Sequence, residues 1–266
     1  MNVFALKLIA LITMIIDHMG VVFPDTFGFE FRVIGRLAFP IFVFLLAEGF
    51  RYTKSHGKFL IRLFVFAVIS QPVFGWALKG THFPYVNFFE NTNIFYTLFF
   101  GGAAITVYEM TRKWYDSTTP PAIKSKIFSV VMAAVSLFTF AWLAEDVFSS
   151  DYGAYGVVFI FIMYIVRCKD FSLYKSIGKR SDAIYKTLPL ITMAVLCLYQ
   201  FDWMFRHAFE SGFSSISGMW WAMVPVKLVS VILVAFYNGK RGPGLKWLFY
   251  AAYPLHLGVL MFIMQF

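Results

Sequence analysis

At 266 residues, with 60% hydrophobic, 21% aromatic and only 14% charged residues, the chain is far from a soluble domain, in which about a quarter of residues are charged. A mean hydropathy of +0.71 means more apolar surface than a water-facing fold can cover, which excludes a soluble enzyme. The net charge of +9 would suggest nucleic acid in a soluble protein, but basic cytoplasmic loops explain it in a membrane protein, and no nucleic-acid partner is expected.

An apolar run of about 17–20 residues reaches across a hydrocarbon core of roughly 30 Å, and about nine such runs can be read, at 3–23, 34–50, 60–78, 92–110, 127–146, 153–167, 187–204, 218–237 and 247–265. The joining segments are short and polar, with no linker, low-complexity tract or internal repeat. The expected fold is an all-α polytopic membrane protein forming one domain, 1–266. The N-terminal run lacks the small-residue cleavage site of a signal peptide and is too long for its apolar region, so the first span is expected to be retained. Cys168 and Cys197 fit no metal spacing and no disulfide framework. Buried free thiols are expected, and no metal.

Lysines and arginines in the loops set the orientation. With the N-terminus cytoplasmic, most of the 23 basic residues fall in inner loops, and only Arg32, Arg36, Lys79 and Arg206 fall outside. Outer loops hold Asp25, Glu30, Glu90, Glu145, Asp146, Asp151, Asp202 and Glu210. An odd number of spans then leaves Phe266 outside.

In the first run, Asp17 and His18 interrupt an otherwise apolar helix. An ionisable residue at such a depth costs roughly 2.5–3.5 kcal/mol on insertion scales and is seldom kept without a use. His18 lies about 22 Å along the helix from Val3, in the outer third of the membrane. Adjacent helical residues point about 100° apart, so Asp17 cannot orient the imidazole of His18. It needs a partner on another span, and Arg36 is at the right depth. A neutral His18 can then take a proton from a nucleophile; the alternative is a histidine that only bridges helices.

The second run opens on Arg36-Leu37-Ala38-Phe39-Pro40. Pro40 is expected to free a backbone carbonyl and kink the helix, while Arg36 can bind a carboxylate, polarise a carbonyl oxygen or pair with Asp17. Glu48, near the cytoplasmic end, reads as an interfacial carboxylate beside Arg51. Asn93 and Thr97 lie one turn apart at the start of the fourth run, with Asn93 either a helix cap or a substrate contact. Asp151 and Tyr152 begin the turn that enters the sixth run, again on the outer side. Lys227, mid-depth in the eighth run, needs a carboxylate or a water-filled cavity. His256, behind Pro254 in the ninth, is the second candidate for the site. His56, His82 and His207 read as loop histidines.

The runs LKLIALITMIIDHMG, IGRLAFPIFVFLLAEGF, NIFYTL, DYGAYGV, YNGKRG and YPLHL, in that order from Leu6 to Leu257, resemble the TraX family. That resemblance implies a relation to the multi-span acyltransferases, which include heparan-α-glucosaminide N-acetyltransferase. It implies N-terminal acetylation of pilin subunits in the bacterial inner membrane, with acyl-CoA as donor and a first-span histidine, here His18, as the catalytic group. Lys227 matches none of the family's motifs, and the pilin substrate is the part that transfers least.

The expected reaction moves an acetyl group from cytoplasmic acetyl-CoA to an amine or hydroxyl on the outer side. The acceptor would be a pilin-like protein or an envelope glycan. Asp17, His18 and Arg36 form the catalytic group, with Asn93, Thr97, Asp151, Tyr152 and His256 for substrate and acyl binding. Arg51, Lys240 and Arg241, with Lys54, Lys58 and Arg62, would hold the donor's phosphates, and the glycines of Tyr237–Gly242 let backbone N–H groups approach one. Two other classes stand beside this one. A secondary transporter also places intramembrane charge beside broken helices, and proton-coupled uptake would identify it. A non-catalytic envelope assembly factor would tolerate replacement of the polar residues at the level of His18.

Overall fold

The computed structural model describes residues 1–80, 86–117, 123–168, 181–211 and 218–264, and there is no strand among them. The chain runs through α1 (Val3–Val22), α2 (Pro24–Gly35), α3 (Ala38–Tyr52), α4 (His56–Lys79), α5 (Ile94–Ser117), α6 (Ile123–Trp142), α7 (Gly153–Arg167), α8 (Ser181–Ser211), α9 (Gly218–Ala235) and α10 (Lys246–Ile263). A π-helical turn, Leu143–Val147, extends α6. Among the described residues, five helical stretches are long and apolar enough to cross a membrane: Val3–Val22, Gly28–Tyr52, His56–Lys79, Ile94–Trp114 and Val130–Val147. Shorter apolar helices of 10–17 residues, Gly153–Arg167, Ala183–Tyr199, Ala222–Ala235 and Trp247–Ile263, lie over the other four runs.

The segment between the first two runs departs from the expected outer loop: it is the helix α2. Pro24 stands at its first position, where no N–H is needed, Asp25 lies in the first turn and Arg32 in the last. Each charge complements the helix dipole. Pro254 does not break α10, which continues through it. His207 lies within α8 rather than in a loop, and His56 is the first residue of α4. His82 and Phe266 lie outside the described residues.

The chain forms two compact units, Met1–Leu45 with Val166–Phe266, and Leu46–Ile165. In the first, α1 packs on α2 and on α10, and α9 packs on α2 and α8. Its core holds Leu6, Ala10, Ile41, Val43, Met193 and Leu257, all buried. In the second, α5 packs on α4, α6 and the π turn, around buried Phe50, Ala67, Ile105, Phe159 and Ile160.

Candidate active site

Asn2 starts α1, its side chain accepting from the Ala5 N–H at 2.8 Å, and the Phe23 N–H closes the helix on the Met19 carbonyl. Pro24 follows at once, so α2 returns along α1. Two glycines let the pair close. A Cβ on Gly20 would stand 2.9 Å from that of Phe31, and one on Gly35 would overlap the Asp17 carboxylate.

That approach brings Asp17 between two guanidinium groups. Arg32 Nη1 donates to Oδ2 at 2.7 Å and Arg36 Nη2 to Oδ1 at 2.5 Å. The carboxylate is 14% exposed and Arg36 15%, so these charge-assisted bonds lie in a weakly hydrated setting where solvent screens them little. Arg36 also donates from Nε to the Arg32 carbonyl at 3.1 Å. Pro40 explains the position of Arg36. It cannot donate to the carbonyl four residues earlier, and the helix breaks there, with the Arg36 and Leu37 N–H groups bonded instead to the Val33 and Ile34 carbonyls at 3.2 Å. The guanidinium is thus left at the negative end of α2.

His18, one residue on from Asp17, turns to another helix. It is 7% exposed, and its Nδ1 lies 2.7 Å from His256 Nε2 on α10. The rings are tilted by only 10°, with centroids 4.9 Å apart. Parallel planes suggest stacking, but this separation equals the hydrogen bond plus one ring radius on each side. The imidazoles therefore meet edge to edge, nearly in one plane. His256 Nδ1 is held by the Ala252 carbonyl at 2.8 Å. Tyr253 sets its ring edge-on to both, at 5.9 Å from His18 and 5.6 Å from His256. Among the described residues, His18 Nε2 makes no hydrogen bond.

The other sequence-selected residues are spread over both units. In the second unit, Asn93 is buried; its Nδ2 donates to the Ala67 carbonyl at 2.8 Å and to Gln71 Oε1 at 2.9 Å, and its Oδ1 accepts from the Phe95 N–H at 3.0 Å. Thr97 donates to Ser150 Oγ at 2.9 Å and accepts from the Tyr152 N–H at 3.4 Å. The Asp151 N–H reaches the Thr92 carbonyl at 3.1 Å. Asn93, Thr97, Asp151 and Tyr152 therefore join the start of α5 to the turns flanking it. Arg51 pairs with Glu48 at 2.5 Å in the same unit. In the first unit, Lys240 and Arg241 are exposed on a loop in which Gly239 and Gly242 have positive φ, 76° and 71°. Lys227 is buried in α9, and its carbonyl accepts from Ser230 Oγ.

Arg32, Tyr253, Gln71 and Ser150 escaped the sequence reading. Arg32 had a signal, standing one helical turn before Arg36 and so on its face. Gln71 is a polar residue next to Pro72 in an apolar run. For Tyr253 and Ser150 the sequence offers nothing that separates them from other interfacial residues.

A family model described as TraX protein matches residues 3–264. The chain is 26% identical over 268 residues to a "Probable fimbrial assembly protein FimC, serogroup H1" of Dichelobacter nodosus, across 97% of this chain and 94% of that protein. No solved structure matches it.

Proposed function

The chain belongs to the TraX family, and from that premise we propose that it is an acyl-CoA-dependent acyltransferase of the bacterial inner membrane. In this reading it is a single domain crossing the membrane nine times with its N-terminus in the cytoplasm. It moves an acetyl group from cytoplasmic acetyl-CoA to an amine or hydroxyl at the outer side. The fimbrial name of its relative favours a pilin-like acceptor.

One observation carries the reading: a buried histidine in a helix fit to cross a membrane, with one ring nitrogen engaged and the other left without a hydrogen bond among the described residues. In the proposed step His18 Nε2 removes a proton as the nucleophile attacks the thioester carbonyl. The new C–N or C–O bond forms, and the oxyanion is stabilised by Arg36. The C–S bond then breaks, and the coenzyme thiolate leaves with the proton from His18. An α-amine, with a pKa of about 7.7–8.0, is partly neutral at pH 7 and leans on this base less than a hydroxyl does. Lys240 and Arg241, beside two glycines that let backbone N–H groups come close, are assigned to the donor's phosphates.

The test is transfer of radiolabel from [14C]acetyl-CoA, in liposomes holding the full chain, to a synthetic peptide with a free α-amine. Mass spectrometry of envelope proteins and glycans from cells with and without the chain identifies the natural acceptor. His18→Ala is expected to abolish transfer while the protein still inserts; near-normal turnover would rule out His18 as base. The name of the relative also favours a second reading, a non-catalytic assembly factor. In that case no label moves and pilus assembly survives replacement of His18.

A further inference from the structure

The edge-to-edge pair of imidazoles fixes more than a contact. We infer that His256 is a positioning residue that holds His18 in the tautomer with hydrogen on Nδ1, so that the lone pair sits on Nε2. This rests on the reading of His18 as the base.

A carbonyl oxygen only accepts, so the 2.8 Å contact between Ala252 and His256 Nδ1 requires a hydrogen on that nitrogen. Neutral His256 then offers a lone pair at Nε2. Its neighbour at 2.7 Å, His18 Nδ1, has to carry the hydrogen between them. In neutral His18 the remaining nitrogen, Nε2, is therefore the unprotonated one, and it is the one without a hydrogen bond among the described residues. The near-coplanar rings direct that hydrogen along the lone pair of His256, where an N–H···N bond is strongest. The anchor is rigid, because Ala252 and His256 lie one turn apart within α10 and Tyr253 flanks both rings.

The same arrangement supports the protonated state. When Nε2 takes a proton, the Nδ1–H of the imidazolium still points at the His256 lone pair, so the charge forms against a ready acceptor. Asp17, adjacent in sequence, does not do this work; it is held by Arg32 and Arg36. A histidine backed by a backbone carbonyl thus takes the orienting role that a carboxylate has in hydrolase triads.

The experiment uses the full chain, labelled with 15N-histidine, in lipid bilayers. The His18 signals are those lost in His18→Gln. In the wild type we expect Nδ1 protonated, Nε2 bare, and a scalar coupling between His18 Nδ1 and His256 Nε2. His256→Leu, which offers no acceptor, is expected to lower kcat in the [14C]acetyl-CoA assay about 10–100-fold with KM unchanged. It should also move the hydrogen of His18 to Nε2. His256→Gln, whose amide oxygen can accept, should retain both the tautomer and most of the turnover. Hydrogen on His18 Nε2 in the wild type would overturn the inference. So would unchanged kcat or tautomer in His256→Leu, or a Gln variant no better than the Leu one. If His256→Leu does not insert, the wild-type spectrum alone decides. Near-normal turnover in His18→Ala, with the expected wild-type spectrum, would instead overturn the reading of the base.

Discussion

Two of the buried polar clusters among the described residues are built differently. In the unit that carries α1 and α2, the cluster is titratable: Asp17 with Arg32 and Arg36, and His18 with His256. In the other unit, apart from the Glu48–Arg51 pair, the cluster at the start of α5 is neutral: Gln71 with Asn93, and Thr97 with Ser150. The neutral cluster spends its donors on carbonyls and on its own side chains, tying the Asn87–Asn93 segment to α4 through Gln71. Such bonds satisfy backbone that hydrocarbon cannot. The titratable cluster leaves an imidazole nitrogen without a hydrogen bond among the described residues. Burial of a polar residue is therefore a poor guide to chemistry here, and the better guide is a group able to change charge with an atom left to do so.

Replacements in each cluster test that distinction. The largest effect is expected from His18→Ala, with transfer reduced by about 10²–10⁴-fold and a stability cost of about 1–3 kcal/mol from the lost bond to His256, read from [14C]acetyl-CoA turnover and from thermal unfolding. Asp17→Asn comes next, because it leaves two guanidinium groups facing a neutral amide. Loss of one partner from a buried pair costs about 3–5 kcal/mol, and partial exposure brings this to about 2–4 kcal/mol. A lowered Tm in detergent would show it, together with reduced transfer. Asn93→Ala should cost about 1–3 kcal/mol by leaving Gln71 and the Ala67 carbonyl short of a donor, with turnover per folded molecule retained. Lost turnover at unchanged Tm would move Asn93 into the site. The smallest effect is expected from Thr97→Val, about 1 kcal/mol for one hydroxyl bond, again without effect on turnover.

The helices were legible because an apolar run of membrane length has few other uses. Segment α2 was not, since Asp25, Glu30 and Arg32 read as loop polarity until their places on the helix are known. Asp17 with Arg36 could be matched by position, because Asp17 falls near the end of the first apolar run and Arg36 at the start of the second. His18 with His256 could not, since 238 residues separate them and depth alone does not choose among α1's neighbours. Asn93 and Thr97 were rightly placed at a helix start. The partners that occupy them, Gln71 and Ser150, follow from packing that no local pattern encodes.

The closure of α1 against α2 at Gly20 and Gly35 bears on how the molecule meets lipid of different thickness. Hydrophobic mismatch tilts or shifts whole helices, but the glycine contacts and the two ion pairs make α1 and α2 move as a hairpin. In a thinner or thicker bilayer the depth of the imidazole below the surface changes, while its setting against Asp17, Arg32 and Arg36 does not.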